Sequence, residues 1–197
     1  MTVLADRIEM ADADANTQDL DEWFERLERM PVPEGFRVEI VGGNVYMTPQ
    51  RSSHWEIIFE IAQTIRGRLG KGVKVFSDVR IDFPGHENGF CPDVAVLKGS
   101  AQPDDTGHWR HQDVEFVAEV ISKGTAANDY GPKKTAYAVA EVPVYVIVDP
   151  YQRRCHVHTD PKGGDYAVQT RVDFGTDIDL TGTVVDLILS TDEFPSD

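Results

Sequence analysis

Cysteine is scarce in this 197-residue sequence, which has only Cys91 and Cys155. Two thiols cannot build a disulfide framework or a Cys-rich zinc site, and a reducing cytoplasm is the expected compartment. No apolar run approaches ~18 residues, so no transmembrane helix and no membrane partner are expected. The opening stretch, Met1 to Glu9, has no basic head followed by an apolar core, the mark of a secretory signal. Positive charge is also short: 19 Lys and Arg face 34 Asp and Glu, a formal net charge of −15. Such a surplus repels nucleic acid and anionic membranes at long range. Exposed charges are screened over roughly 8–10 Å at physiological salt, so a local cation or a bound metal can still dominate at contact. There is no internal repeat, and no low-complexity stretch beyond an Ala- and Asp-rich start.

Hydrophobic residues make up 41% of the chain, enough for a packed core. The length fits one domain. Residues 1–16 lack apolar periodicity and read as a flexible acidic extension, 17–190 as a single domain and 191–197 as a tail. Thr17 is placed to cap a short helix with Leu20, Trp23, Phe24 and Leu27 on one face. Strands are expected at 36–41 and 45–48, joined through Gly42, Gly43 and Asn44. Ser53 and Glu56 have the spacing of a capping box, opening a helix with Ile58, Ile61, Ala62, Ile65 and Leu69 on its inner face. Strands follow at 73–76 and 79–83, then a loop at 85–89, a strand at 93–97 and an exposed loop at 98–112. A nearly apolar strand at 114–121, a helix at 129–141 and a second apolar strand at 143–148 make a β–α–β unit. Strands at 154–159, 166–171 and 184–189 complete a hairpin-rich C-terminal part. The class is α/β or α+β, centred on one mixed sheet.

Carboxylates interrupt this pattern where carboxylates are costly. Glu119 lies inside the apolar run Val-Glu-Phe-Val-Ala-Glu-Val-Ile. A buried, unpaired carboxylate costs several kcal/mol unless it is paired, protonated or bound to a metal. An edge position reaching solvent or an arginine is the plain reading, and a ligand or catalytic group the sharper one. Asp93 follows Pro92 at the start of another buried strand, where it could simply be a turn residue. If the two strands are neighbours, the pair makes a site for a hard cation such as Mg²⁺, with Mn²⁺ as a substitute. In the helix that follows, Asp129 fits the N-cap and Pro132 the first turn. Lys133, Ala136, Tyr137 and Ala140 share a face at helical spacing, which points Lys133 towards the sheet and leaves Lys134 to the solvent. On spacing alone, Asp129 and Lys133 could be an ordinary i,i+4 ion pair. Glu39, between Val38 and Ile40, reads by alternation as part of a solvated strand face. His54 reads as exposed or structural.

These residues resemble the Uma family, restriction-endonuclease-like proteins of the PD-(D/E)XK nuclease superfamily. The resemblance runs from about residue 19 to 190. It is carried by Val38-Glu39-Ile40-Val41-Gly42-Gly43, Ser52-Ser53-His54 and Pro92-Asp93-Val94. It continues through Glu119-Val120-Ile121-Ser122, Asp129-x-Gly131-x-Lys133-x3-Tyr137 and Val142-Pro143-x-Tyr145-x-Ile147-Val148-Asp149-Pro150. The resemblance implies a restriction-endonuclease-like fold, a mixed central sheet flanked by helices. It implies that Asp93 and Glu119 bind Mg²⁺, with the Val120 carbonyl as a further ligand, and that a lysine assists the attacking water. The superfamily's usual lysine position, two residues after the glutamate, is Ile121 here, and Lys133 from the next helix fits the Uma variant. Lys123 replaces part of a common proline context and competes with Lys133 for the role. Glu39 resembles an accessory ligand. His54, Asp129 and Tyr137 stand beside it as accessory candidates.

The expected function is therefore Mg²⁺-dependent hydrolysis of DNA, with a homodimer suited to double-strand cutting. The alternative is a catalytically inactive nuclease fold serving as an interaction or regulatory module. Lys133→Ala is expected to cost about 10² or more in rate at little cost in stability.

Overall fold

A computed structural model describes residues 13–30 and 35–195 of the chain. Most of the expected N-terminal extension, the Pro-rich segment at 31–34 and the last two residues lie outside the described residues. The elements, in chain order, are α1 (Ala13–Glu28), β1 (Phe36–Val41), β2 (Asn44–Pro49), α2 (Ser52–Leu69), β3 (Lys74–Phe76), β4 (Ile81–Phe83), β5 (Asn88–Phe90), β6 (Val94–Leu97) and β7 (Trp109–Arg110). A 3-10 turn at His111–Asp113 leads into β8 (Val114–Val120), α3 (Ala126–Tyr130), α4 (Pro132–Val139), β9 (Val144–Asp149), β10 (Arg154–Lys162), β11 (Asp165–Asp173), β12 (Ile178–Asp179) and β13 (Ile188–Leu189). Among the described residues, no helix is long and apolar enough to cross a membrane.

The strands form two main sheets rather than one. The larger has the order β11-β10-β9-β8-β6-β3, and the smaller β2-β1-β5-β4-β7. In the larger sheet β8 and β9 run parallel, connected through α3 and α4, and the other pairs are antiparallel. This is the expected β–α–β unit, and its strands are apolar because both faces are covered. One face packs Val94, Val96, Phe116, Ala118, Val144 and Val146 against Ile57, Ile58, Ile61 and Ile65 of α2. The other packs Val117, Tyr145 and Ile147 against Ala136 and Tyr137 of α4 and against Ile81, Phe83 and Phe90 of the smaller sheet.

The second sheet exists because the stretch expected as a loop at 85–89 contains the start of β5. Asn88 is polar and flanked by turn residues, which reads as loop, but its side chain ties two hairpins together. Its Nδ2 donates to the Pro84 carbonyl at 2.8 Å, and its Oδ1 accepts from the Gly42 amide at 2.9 Å. Between β1 and β2 the turn is Gly42-Gly43, with φ of +56° and +74°, values that favour glycine.

Helix boundaries differ from expectation for local reasons. The first helix begins at Ala13, so Thr17 lies inside it rather than capping it. The second begins at Ser52 with Arg51 at the N-cap, so Ser53 lies inside the helix rather than at its cap. The helix expected over 129–141 is two helices, broken at Gly131. Proline disfavours helical backbone at the residue before it, so Pro132 ends one helix at Gly131 and opens the next at its own N1 position. Asp129 is consequently not a cap but an inner residue of α3. The strand expected over 184–189 shrinks to β13, which pairs only with β12.

Candidate active site

The site lies between the two sheets, below α4. Val94 pairs with Ala118 across the β6–β8 ladder, which sets Asp93, just before β6, opposite Glu119. Asp93 and Glu119 are each 1% exposed. The Asp93 amide donates to Glu119 Oε2 at 3.3 Å. One oxygen of each carboxylate is held by a neutral donor: the Val120 amide donates to Asp93 Oδ2 at 2.7 Å, and the Tyr137 hydroxyl to Glu119 Oε1 at 2.6 Å. The remaining oxygens, Asp93 Oδ1 and Glu119 Oε2, share a cation. Arg37 Nη1 bonds to the former and lies 3.9 Å from the latter. Arg37 Nη1 thus bridges the two carboxylates.

Lys133 enters from the first turn of α4, 1% exposed, and its Nζ is ringed by carboxylates. It lies 2.6 Å from Glu119 Oε1, 3.0 Å from Glu39 Oε1 and 3.2 Å from Asp129 Oδ1. The break at Gly131 puts Asp129 on α3 and Lys133 on α4 while keeping them in contact. The other lysines are elsewhere: Lys134 Nζ pairs with Asp165 at 2.9 Å, and Lys123 sits 4.9 Å from the centre of the Tyr151 ring.

Glu39 is buried, not solvated as alternation alone implied. On β1 the odd and even positions both face protein. Val38 and Ile40 pack on Leu20 and Leu27 of α1, while Arg37 and Glu39 point into the site. Arg37 is the residue that sequence reasoning missed. The signal was available in principle, since Arg37 and Glu39, two apart on a strand, must share a face. Arg37 also donates to the Cys91 carbonyl at 3.0 Å, and its Nε has no hydrogen-bond partner, although Glu39 Oε2 lies 3.7 Å away. His54 is buried rather than exposed. Its Nε2 lies 3.0 Å from the Val120 carbonyl, the oxygen expected to serve as a ligand, and it fixes the end of β8 to α2.

Burial and charge set the protonation of this cluster. Burial raises Asp93 to about 6, against the pull of Arg37, and raises Asp129 to about 7, against that of Lys133. Burial also works against ionised Glu119, but Lys133 and Arg37 together overcome it and hold that carboxyl below its ordinary value. The same carboxylates keep Lys133 protonated despite its burial.

Four carboxylates, Glu39, Asp93, Glu119 and Asp129, thus face two cations, Arg37 and Lys133. With all four ionised, which requires a pH above about 7, negative charge exceeds positive by two. Among the described residues, no group of three or more His, Cys, Asp or Glu side chains is arranged to hold a metal by itself. Two facing carboxylate oxygens nevertheless suit Mg²⁺, which keeps several waters and seldom uses a complete protein cage. Asp93 also forms part of the wall of a surface cleft of about 350 Å³, with Arg51, Ser52, Trp55, Ser77 and Asp78. Of the buried cluster, Asp93 is the member that borders this cleft.

The sequence profile of the Uma2 family, described as "Putative restriction endonuclease", matches residues 23–192. Comparison with curated proteins gives no match. Among solved structures, the chain is similar to one described as a "putative nuclease belonging to DUF820" from Anabaena variabilis ATCC 29413, with a TM-score of 0.67 and 16% identity. The similarity covers 89% of this chain and 96% of that one.

Proposed function

Because the chain belongs to the Uma2 family, we propose that it is a Mg²⁺-dependent nuclease that hydrolyses DNA phosphodiester bonds in the cytoplasm. The observation that carries this reading is the convergence of Asp93, Glu119 and Lys133 from three separate stretches of the chain, with Asp93 in the wall of a cleft. Asp93 Oδ1 and Glu119 Oε2 would hold the ion in place of Arg37. A divalent cation there supplies neutralisation of phosphate charge and a bound water of lowered pKa.

The chain's own residues do the rest. Val120 and Tyr137 fix the outer oxygens of the two carboxylates, so the inner oxygens would meet an ion once Arg37 moves aside. Lys133 places a fixed positive charge beside Glu119, where it orients the attacking water or stabilises the charge that develops on the phosphorus oxygens. Glu39 and Asp129 hold the Lys133 ammonium from two further sides. Arg37, released from Asp93, is available to a phosphate oxygen, which guanidinium binds well. One chain contributes every residue of the site, and cutting both strands of a duplex would take two copies.

The test is plasmid cleavage titrated with Mg²⁺ or Mn²⁺. Nicking should appear with the metal, vanish with EDTA and be lost in Asp93→Ala. A folded wild-type protein that leaves plasmid and oligonucleotides intact with either metal would favour the inactive, interaction-module reading instead.

A further inference from the structure

The outer face of α2 beside the cleft carries two large aromatics without cover. Trp55 is 56% exposed and Phe59 50%. They are four residues apart, hence neighbours on the helix surface, and their ring centres are 6.3 Å apart. The opposite face of α2 already fills the core with Ile57, Ile58, Ile61 and Ile65, so Trp55 and Phe59 are not needed for packing. Trp55 lines the same cleft as Asp93.

We propose that Trp55 and Phe59 form a base-stacking platform for single-stranded DNA, which delivers the adjoining phosphate through the cleft to Asp93. This deepens, and rests on, the nuclease reading. Three observations point to a single strand. Asp93 is recessed, 1% exposed, at a cleft of about 350 Å³, the lower end of ligand-pocket volumes and room for about one nucleotide unit. A phosphate can reach it on a strand free to leave its complement, whereas a duplex brings both strands together. Second, bases present a stackable face only when they are unpaired or splayed out. Third, a net charge of −15 weakens phosphate contacts to either form of DNA, and stacking on exposed rings, about 1–3 kcal/mol per base, is a source of affinity that only unpaired bases can use.

The experiment measures binding of the full chain, in EDTA, to a short fluorescein-labelled oligothymidylate and to a duplex of the same length. Cleavage of both is followed separately with Mn²⁺. The single strand should bind at least tenfold more tightly. Trp55→Ala should weaken that binding about tenfold, Phe59→Ala less, and Trp55→Phe should keep most of it, since a phenyl ring still stacks. Duplex binding should be unchanged in all three, and unchanged circular dichroism will show that these exposed positions leave the fold intact. Quenching of tryptophan fluorescence by the oligothymidylate, lost in Trp55→Phe, would place the base on that ring. If Trp55-dependent binding occurs without any cleavage, the platform stands and the nuclease reading fails. If both substrates are cleaved but Trp55→Ala alters neither their binding nor the preference between them, the platform is overturned and the nuclease reading stands. Absence of single-strand binding overturns the platform. So does self-association lost in Trp55→Ala with oligonucleotide binding unaffected, which would make the aromatic pair a protein interface.

Discussion

Lys133 is both a catalytic candidate and a structural ion, and the two roles can be separated. Its ammonium is the main cation for Glu119, Glu39 and Asp129, all buried. The sequence-based expectation that Lys133→Ala is cheap therefore does not suit its surroundings. Removing one partner of a buried ionic network leaves uncompensated charge and costs about 3–5 kcal/mol. We expect Lys133→Ala to lose stability on that scale in denaturant titration, and the molecules that remain folded to lose about 10² or more in cleavage rate. Lys134→Ala removes only a pair with exposed Asp165, worth about 1 kcal/mol or less, and should leave the rate unchanged. Equal effects of the two substitutions on rate would remove Lys133 from the mechanism. Asp129 gives a pH signature. Its carboxyl is raised from 3.8 to about 7 in the folded chain by burial, against the attraction of Lys133. Between those values the folded state keeps a proton that the unfolded state has released. The associated stability is present at low pH and is lost as pH rises through about 7. Asp129→Asn imitates the protonated form, so it should melt well above wild type at pH ~8, by a smaller margin at pH ~5, and level with it only as the pH approaches the ordinary carboxyl value of 3.8. A variant destabilised equally at both values would show that the charge on Asp129 is needed for folding.

At the scale of elements, the junction between α3 and α4 decides where Lys133 points. Pro132 makes the break and Gly131 makes the approach: a Cβ at Gly131 would lie 3.0 Å from the carbonyl oxygen of Ala127, a backbone atom. Gly131→Ala must therefore shift the last turn of α3 by a few tenths of an ångström. It should cost about 1–3 kcal/mol, the range for overpacking, and lower cleavage by disturbing the contact of Asp129 with Lys133. Unchanged melting and activity would show that the junction yields freely. The β1 strand shows the opposite kind of constraint. Its alternation is regular, but the polar face is turned inward because α1 covers the apolar one. A strand with both faces buried gives the same sequence pattern as one with a wet side, and only the neighbouring elements tell them apart.

On the scale of the whole molecule, the site contributes at most two of the fifteen surplus negative charges, but these two are buried. With all four carboxylates ionised against two cations, a divalent ion, if the proposed site binds one, would complete the charge balance. Ligands that bind only the folded state stabilise it by mass action, about 2.7 kcal/mol at a hundred times the dissociation constant. Mn²⁺ or Mg²⁺ should accordingly raise the melting temperature of the wild type. The rise should be larger at pH ~8, where Asp93 and Asp129 are ionised, than at pH ~5.5, and should disappear in Asp93→Asn. A metal-induced shift that survives Asp93→Asn would put the ion elsewhere.

Much of this protein could be read from its sequence because the relevant forces act locally or along one strand. The apolar runs of β8 and β9, the isoleucine spacing of α2 and the Gly42-Gly43 turn each fix an element by burial, periodicity or backbone freedom within a few residues. The oddity of Glu119 was visible for the same reason: a carboxylate in an apolar run must have a partner. The tertiary structure alone decided who those partners are. Arg37 and Glu39 come from a strand of the smaller sheet, Asp93 from the neighbour of β8, and Lys133 from beyond a proline-made break. They meet only when two sheets and a helix pair close on one another. Asn88 acts as a tie rather than a loop residue, and His54 is buried against Val120, because partners more than 40 residues away in the chain come to meet them. Local pattern records whether a residue is polar. Whether that polarity faces water or a buried counter-charge is set by packing between elements distant in sequence.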